Sequence, residues 1–179
     1  MVRTSVIRSV AYHNFNYAED YDLVLRISEK YPVFILGEFL VKYRLHTTNT
    51  SLVSTEMQAA EKNILKDFHK RLGIASDDKR VGIHHSFSSG KMDDFSILDY
   101  YYFLLDLKVS AKKSGRYDDK ILDNVFYQKW FEIIMLKGGR DSLQLLFKPY
   151  IYDYNSITFK HIRKAIKKSI RHIFKLFKD

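Results

Sequence analysis

Apolar positions recur every three or four residues over most of the chain, which is the spacing of an amphipathic helix. Asn16 is the predicted N-cap of the first such segment, and Asp22 and Arg26 form a favourable i,i+4 pair within it. Pro32 ends this segment, because proline lacks an amide hydrogen and restricts the residue before it. The interval 74–91, which contains Gly82-Ile83-His84-His85, lacks this spacing and is predicted to be irregular. The pattern therefore predicts four long helices and one short one, over about 16–31, 55–72, 94–114, 118–137 and 143–146.

Two short runs of β-branched and aromatic residues interrupt the helical pattern. They are Val33–Leu36 and Phe39–Leu45, and Gly37-Glu38 separates them. Such runs bounded by turn residues are typical of strands, and a polar loop over 46–53 follows them. The predicted fold class is therefore α+β, predominantly helical, with two short strands.

The last segment has the most regular pattern of all. Its apolar residues step by three or four, and basic residues fill the rest of the helix surface, which defines a basic amphipathic helix. Such a helix either lies on an anionic membrane surface or packs on the body with a lysine-rich outer side. The apolar set is Phe159, Ile162, Ile166, Ile170, Ile173, Phe174 and Phe177.

The net charge of +9 belongs mainly to this tail. Residues 157–179 contain eight Lys or Arg and one acid, so seven of the nine excess positive charges lie there. A nucleic-acid-binding surface interleaves cations with exposed aromatic residues, whereas here the aromatic residues lie on helical apolar stripes; we expect no nucleic-acid partner. The chain has no cysteine, which excludes disulfides, thiolate zinc sites and cysteine nucleophiles.

Two motifs near the beginning of the chain resemble a known family. Ala18-Glu19-Asp20-Tyr21-Asp22-Leu23-Val24-Leu25-Arg26 is an acidic helix start, and Leu40-Val41-Lys42-Tyr43-Arg44-Leu45-His46 is followed by Thr50-Ser51. In this order they resemble the second half of family-2 glycosyltransferases of the GT-A fold, and Arg71-Leu72-Gly73-Ile74 is similar to the C-terminal extension of bacterial capsule and lipopolysaccharide members. The resemblance implies the acceptor side of a GT-A domain over 1–53, a helical extension over 54–155 and the basic amphipathic helix over 156–179.

The resemblance also implies an activity and a set of site residues. The reaction is inverting transfer of a sugar from a nucleotide-sugar to a surface-polysaccharide or lipid-linked acceptor. Asp20 is the implied base and Glu19 orients the acceptor, while Arg44 and Ser51 face the leaving diphosphate. His46 ligates a divalent cation or contacts the diphosphate.

Each of these residues also has a structural interpretation. Glu19 and Asp20 suit any helix start, Arg44 suits a cross-strand partner, and His46 suits packing at a strand end. Asp20-Tyr21-Asp22 matches the Asp-x-Asp pattern of a metal-binding motif. Because it lies at a helix start, we do not interpret it as a metal site.

The acidic motif begins within twenty residues of Met1, and a nucleotide-binding βαβ unit takes about 30 residues. We therefore expect this chain to lack the donor-binding half and to be inactive alone, and an N-terminal half is an expected partner. Mg²⁺ or Mn²⁺ is expected only for the complete enzyme. The expected location is cytoplasmic, peripheral on the inner face of the cytoplasmic membrane. The alternative function is a non-catalytic helical interaction or membrane-surface module.

Overall fold

The computed structural model describes residues 2–13, 17–34, 36–42, 55–92, 95–148, 151 and 157–176. Every regular element in these ranges is a helix. A single 3-10 turn, Gly139–Asp141, joins the sixth helix to the seventh. The helices are α1 (Thr4–Val10), α2 (Glu19–Ser28), α3 (Thr55–Leu72), α4 (Asp78–Ser88), α5 (Ile97–Lys113), α6 (Asp119–Lys137), α7 (Ser142–Leu146) and α8 (Phe159–Leu176).

The chain divides into two compact units, Met1–Phe68 and His69–Asp179. The first unit has a small apolar cluster in which Val10 of α1 meets Leu23 and Ile27 of α2. Ala18 precedes α2 with φ 59° and offers no side-chain cap. The predicted capping residue, Asn16, lies outside the described residues.

The second unit contains the main hydrophobic core, which α5 and α6 supply with large buried side chains. Both helices begin at strong caps. Ser96 and Asp99 form a reciprocal capping box at α5, and Asp118 accepts hydrogen bonds from the backbone N–H groups of Lys120 and Ile121 at α6. These caps satisfy amide groups that a helix start leaves without partners, and α6 begins where the sequence predicted.

The prediction of two strands is wrong, and with it the α+β class and the strand-bearing GT-A portion. Residues 33, 34, 36 and 39–42 form no strand, and Ile35 and 43–45 lie outside the described residues. The side chains of Phe34 and Phe39 are exposed. A β-rich composition favours a strand where a neighbouring strand and a covered face receive it, and the described part of the chain supplies no such neighbour to 33–42.

The prediction of irregular structure over 74–91 is also wrong, because α4 occupies most of it. Asp77 caps α4 by accepting a hydrogen bond from the backbone N–H of Arg80 at 3.0 Å. Before it, Gly73 closes α3 with φ +73°, and the Ile74 N–H donates to the His69 carbonyl at 2.9 Å. Helix α4 buries residues around much of its circumference, so its sequence has no one-sided stripe.

Candidate functional site

Within the second unit, helix α8 packs on its neighbouring helices through a narrow edge of small and polar side chains. Ala165, at its centre, is fully buried. On the same edge, Ser169 Oγ accepts a hydrogen bond from the Leu143 N–H at 3.4 Å, and Lys168 Nζ donates to the Leu136 carbonyl at 3.5 Å. The edge therefore holds α8 against α6 and α7 without using most of its large apolar side chains.

A histidine at the beginning of α8 adds a polar contact to this edge. The His161 Nδ1 atom is hydrogen-bonded to the hydroxyl of Tyr127 on α6, and the His161 ring lies 4.5 Å from that of Phe131 between centroids. Burial raises the pKa of Tyr127 to about 12. Burial and the nearby Lys164 and Lys160 lower the pKa of His161. Both shifts favour the neutral forms, so a neutral Tyr–His pair joins the two helices.

The large apolar side chains of α8 lie on a different side of the helix. With about 100° between successive residues, their mean direction is rotated by about 120° from that of Ala165. Their exposed fractions range from 39% to 81%, against 0% for Ala165. We call this set the exposed stripe: Phe159, Ile166, Ile170, Ile173 and Phe174.

Basic residues occupy the side of α8 next to the exposed stripe. Four of them, with the spacing i, i+3, i+4 and i+7, line a groove of about 760 Å³ against the connection between α6 and α7. Gly139 forms part of that connection with φ +54°, and the His172 ring lies 3.5 Å from the position that a Cβ atom would take there. We call this feature the basic groove; its lining is Met135, Gly139, Lys164, Lys167, Lys168, Arg171, His172 and Phe174.

The residues that the resemblance assigned to catalysis have two outcomes. Glu19 and Asp20 are exposed on the first turn of α2, and Asp20 Oδ1 accepts a hydrogen bond from the neighbouring Tyr21 N–H at 2.8 Å. Arg44, His46 and Ser51 lie outside the described residues. Their predicted roles at a diphosphate or metal stay predictions.

The buried acid of the motif is Asp22. Its Oδ2 atom lies 2.9 Å from Arg26 Nε and 2.7 Å from Arg26 Nη2, and 3.2 Å from His13 Nδ1. Arg26 Nη1 donates to the Val10 carbonyl at 2.6 Å. The predicted Asp22–Arg26 pair is thus confirmed, and it ties α1 to α2 inside the first unit.

Two of the histidines form a buried pair in the second unit. His69 Nε2 and His84 Nδ1 are 2.8 Å apart, and the rings stack with centroids 5.1 Å apart. Burial, together with His69 and His85, lowers the pKa of His84 to about 3, and burial also lowers the pKa of His69. The pair is therefore neutral near pH 7. Among the described residues, no three His, Asp, Glu or Cys side chains come together as a metal site, so the Mg²⁺ or Mn²⁺ expected for the complete enzyme finds no ligand set there.

Comparisons with known proteins add no family to this picture. No family model, no curated protein and no solved structure matches the chain. The glycosyltransferase resemblance therefore stays a prediction, carried by the two motifs alone. In the part of the chain that the structure describes, no helix combines the length and the apolar character needed to cross a membrane.

The basic groove was not found from the sequence. The signal was present, since Lys164, Lys167, Lys168 and Arg171 share one side of a helix and no acid lies between 157 and 178. What the sequence does not contain is the approach of the Gly139 backbone to α8, because that contact joins segments about thirty residues apart.

Proposed function

We propose that this chain is a peripheral membrane module that attaches to anionic lipid surfaces through α8. The observation that carries the proposal is the direction of the exposed stripe, which points away from the packing edge and lies beside the basic residues. A helix of this kind binds in the headgroup region by burying its apolar side and placing cations near anionic lipid. A terminal helix that only completed the core would bury its large apolar residues.

Two contributions of similar size stabilise this attachment. Each basic residue near an anionic surface contributes about 1 kcal/mol. Complete burial of an isoleucine or phenylalanine contributes about 1.5–3 kcal/mol, and the members of the exposed stripe retain a large part of that because they are still accessible to solvent. The charges make the attachment sensitive to salt, since Debye screening reaches about 8 Å at physiological ionic strength.

A pair of matched variants tests the proposal. Ile170→Asn removes one member of the exposed stripe, and Ile121→Asn changes an isoleucine on α6 that is even more accessible, 65% against 46%. In co-sedimentation with vesicles of phosphatidylcholine and phosphatidylserine, we expect Ile170→Asn to weaken binding about tenfold and Ile121→Asn to leave it unchanged. Equal binding of both variants would contradict the proposal, as would binding to polyglutamate without binding to vesicles, which would indicate an acidic protein partner.

A second candidate function is the sugar transfer that the two motifs imply. What supports it is that Asp20 is accessible to solvent on the first turn of α2, where the helix dipole stabilises a negative charge. In that reaction Asp20 takes the proton of the acceptor hydroxyl. The hydroxyl oxygen attacks the anomeric carbon of the donor sugar, and the bond from that carbon to the nucleoside diphosphate breaks. Arg44 and Ser51 would meet the charge that develops on the diphosphate.

The test of this second candidate is a transfer assay with radiolabelled UDP- or GDP-sugar and a lipid-linked acceptor. The chain is assayed alone and after mixing with a separately expressed N-terminal half of a family-2 enzyme. We expect transfer only in the mixture, loss of transfer with Asp20→Asn, and no change with Glu38→Gln, which is exposed. Transfer at the same rate with Asp20→Asn would exclude Asp20 as the base.

A further inference from the structure

The basic groove carries more positive charge than the described residues neutralise. Within the described residues, Lys164, Lys167, Lys168 and Arg171 have no carboxylate within 4.0 Å, and the Leu136 carbonyl is the polar partner of Lys168. Like charges three and four residues apart on a helix repel each other. A ligand with several negative charges would relieve this repulsion at all four positions together.

The chemistry of the lining selects the kind of anion. Three lysines are point charges with rotatable donors, and Arg171 has a planar guanidinium that binds phosphate oxygens in a bidentate manner. Met135 and Phe174 give the groove apolar walls. A group with several charged oxygens on one centre, next to an apolar portion, matches this combination better than a single carboxylate does.

The position of the groove also bears on the source of the anion. Phe174 belongs both to the groove and to the exposed stripe. A phosphate held by the groove would therefore have its attached lipid chains next to the apolar side chains that are proposed to enter the membrane. A soluble phosphate would use the cations but not this continuity.

The geometry points to the basic groove as a binding site for a phosphomonoester or diphosphate group, presented by the headgroup of an anionic lipid. This inference rests on the proposed membrane attachment and makes it selective, because the cations converge on one multiply charged headgroup. Lys167 and Arg171 are the residues that set the selectivity. Lys160 and Arg163 lie on the same helix outside the groove, and they contribute general attraction to any anionic surface.

The experiment compares two double variants of the full chain with the unmodified protein. Lys167→Gln with Arg171→Gln removes one lysine and one arginine from the groove, and Lys160→Gln with Arg163→Gln removes the same two residue types outside it. Binding is measured to two kinds of phosphatidylcholine vesicle of equal surface charge. One kind carries phosphatidic acid, whose headgroup is a phosphomonoester, and the other carries phosphatidylserine. Circular dichroism verifies that both variants keep their helix content.

We expect the unmodified chain to bind the phosphatidic acid vesicles about tenfold more tightly than the phosphatidylserine vesicles. The groove variant loses this preference, while the variant outside the groove keeps it and binds both vesicles more weakly. Equal binding of the unmodified chain to both vesicles overturns the selective site and leaves the membrane function intact. The selective site is also overturned if the two double variants lose the preference for phosphatidic acid to the same extent.

A soluble arm separates the two sources of phosphate. Titration with inorganic pyrophosphate is followed by calorimetry for the same three proteins. If the unmodified chain binds neither kind of vesicle, the membrane function is overturned. If it then still binds pyrophosphate, and only the groove variant loses that binding, the site takes a soluble ligand and not a lipid headgroup. If neither vesicles nor pyrophosphate bind, the site itself is overturned.

Discussion

Helices α6 and α8 have similar lengths and similar apolar spacing, yet they use their apolar residues in opposite ways. α6 buries Leu122, Phe126, Tyr127, Trp130, Ile133 and Ile134 in the core. α8 buries Ala165 and leaves the exposed stripe accessible. Apolar periodicity therefore predicts that a helix has an apolar side but not whether other helices cover that side. Tertiary contacts, such as those of Ala165 with its neighbours, determine which side is buried.

The largest expected effect is loss of the core side chain at the centre of α6. Trp130 is fully buried and its Nε1–H donates to the Leu145 carbonyl at 3.0 Å. Trp130→Ala should lower the free energy of unfolding by about 3–5 kcal/mol, and Ile170→Ala on α8 by about 0.5 kcal/mol or less. Urea unfolding measured by circular dichroism checks both values, and similar losses in the two variants would erase the contrast between the helices.

The next effect concerns the packing edge of α8. Ala165 has no accessible surface, so Ala165→Leu overfills the contact and should cost about 1–3 kcal/mol. Ile166→Leu, one residue further and partly exposed, is the control and should be nearly neutral. Hydrogen exchange should become faster along α8 in Ala165→Leu while α6 stays protected. Unchanged exchange in α8 would mean that this edge does not hold the helix.

The buried histidine pair makes the stability of the second unit depend on pH. Because burial lowers the pKa of His84 to about 3 and lowers that of His69, the folded state binds fewer protons than the unfolded state. Their contribution to stability is complete above pH about 6.5 and is lost as the pH falls towards the folded values, with a slope of up to about 1.4 kcal/mol per pH unit for each histidine.

Urea unfolding at pH 7 and at pH 5 measures this slope. His84→Phe should make it shallower, because one neutral buried histidine is gone. Val109→Ala, which changes an exposed residue of α5 that does not titrate, should keep the slope of the unmodified chain. A slope that His84→Phe does not change would show that the buried pair does not govern the acid sensitivity.

The smallest effect is loss of the polar contact between the two helices. Tyr127→Phe removes the hydroxyl that is bonded to His161, and the expected cost is about 1 kcal/mol. Tyr102→Phe, at an exposed position of α5, should cost little. Faster amide exchange in the first turn of α8 would accompany the loss in Tyr127→Phe. Equal stability of the two variants would contradict a role for this bond.

The parts of the fold that could be predicted are those with clear sequence patterns over a few helical turns. Helix α6 was predicted because Asp118 and Gly138 mark its ends, and α8 because its two kinds of residue alternate regularly. Helix α4 was missed because its buried residues surround it and Gly82 interrupts the pattern. The prediction of strands over 33–45 was wrong, because the composition of a segment does not show whether a neighbouring strand is present to pair with it.

The candidate site was predictable in the same uneven way. The sequence identified the basic helix and the Asp22–Arg26 pair, since both depend on residues within one or two turns. It left open whether α8 faces a membrane or the body, because that depends on the small side chain at Ala165 meeting α6 and α7. The buried histidine pair was also out of reach, since His69 and His84 belong to different helices.

The exposed stripe of α8 is proposed to enter an anionic membrane surface, and a label placed on the stripe tests this directly. Because the chain has no cysteine, a single Ile170→Cys substitution can carry a fluorophore that reports the polarity around it, and Ile121→Cys provides the matched label on α6. With phosphatidylserine vesicles, we predict a blue shift for the label at position 170 and none at position 121. Binding of the protein to the vesicles without a blue shift at position 170 would contradict the claim.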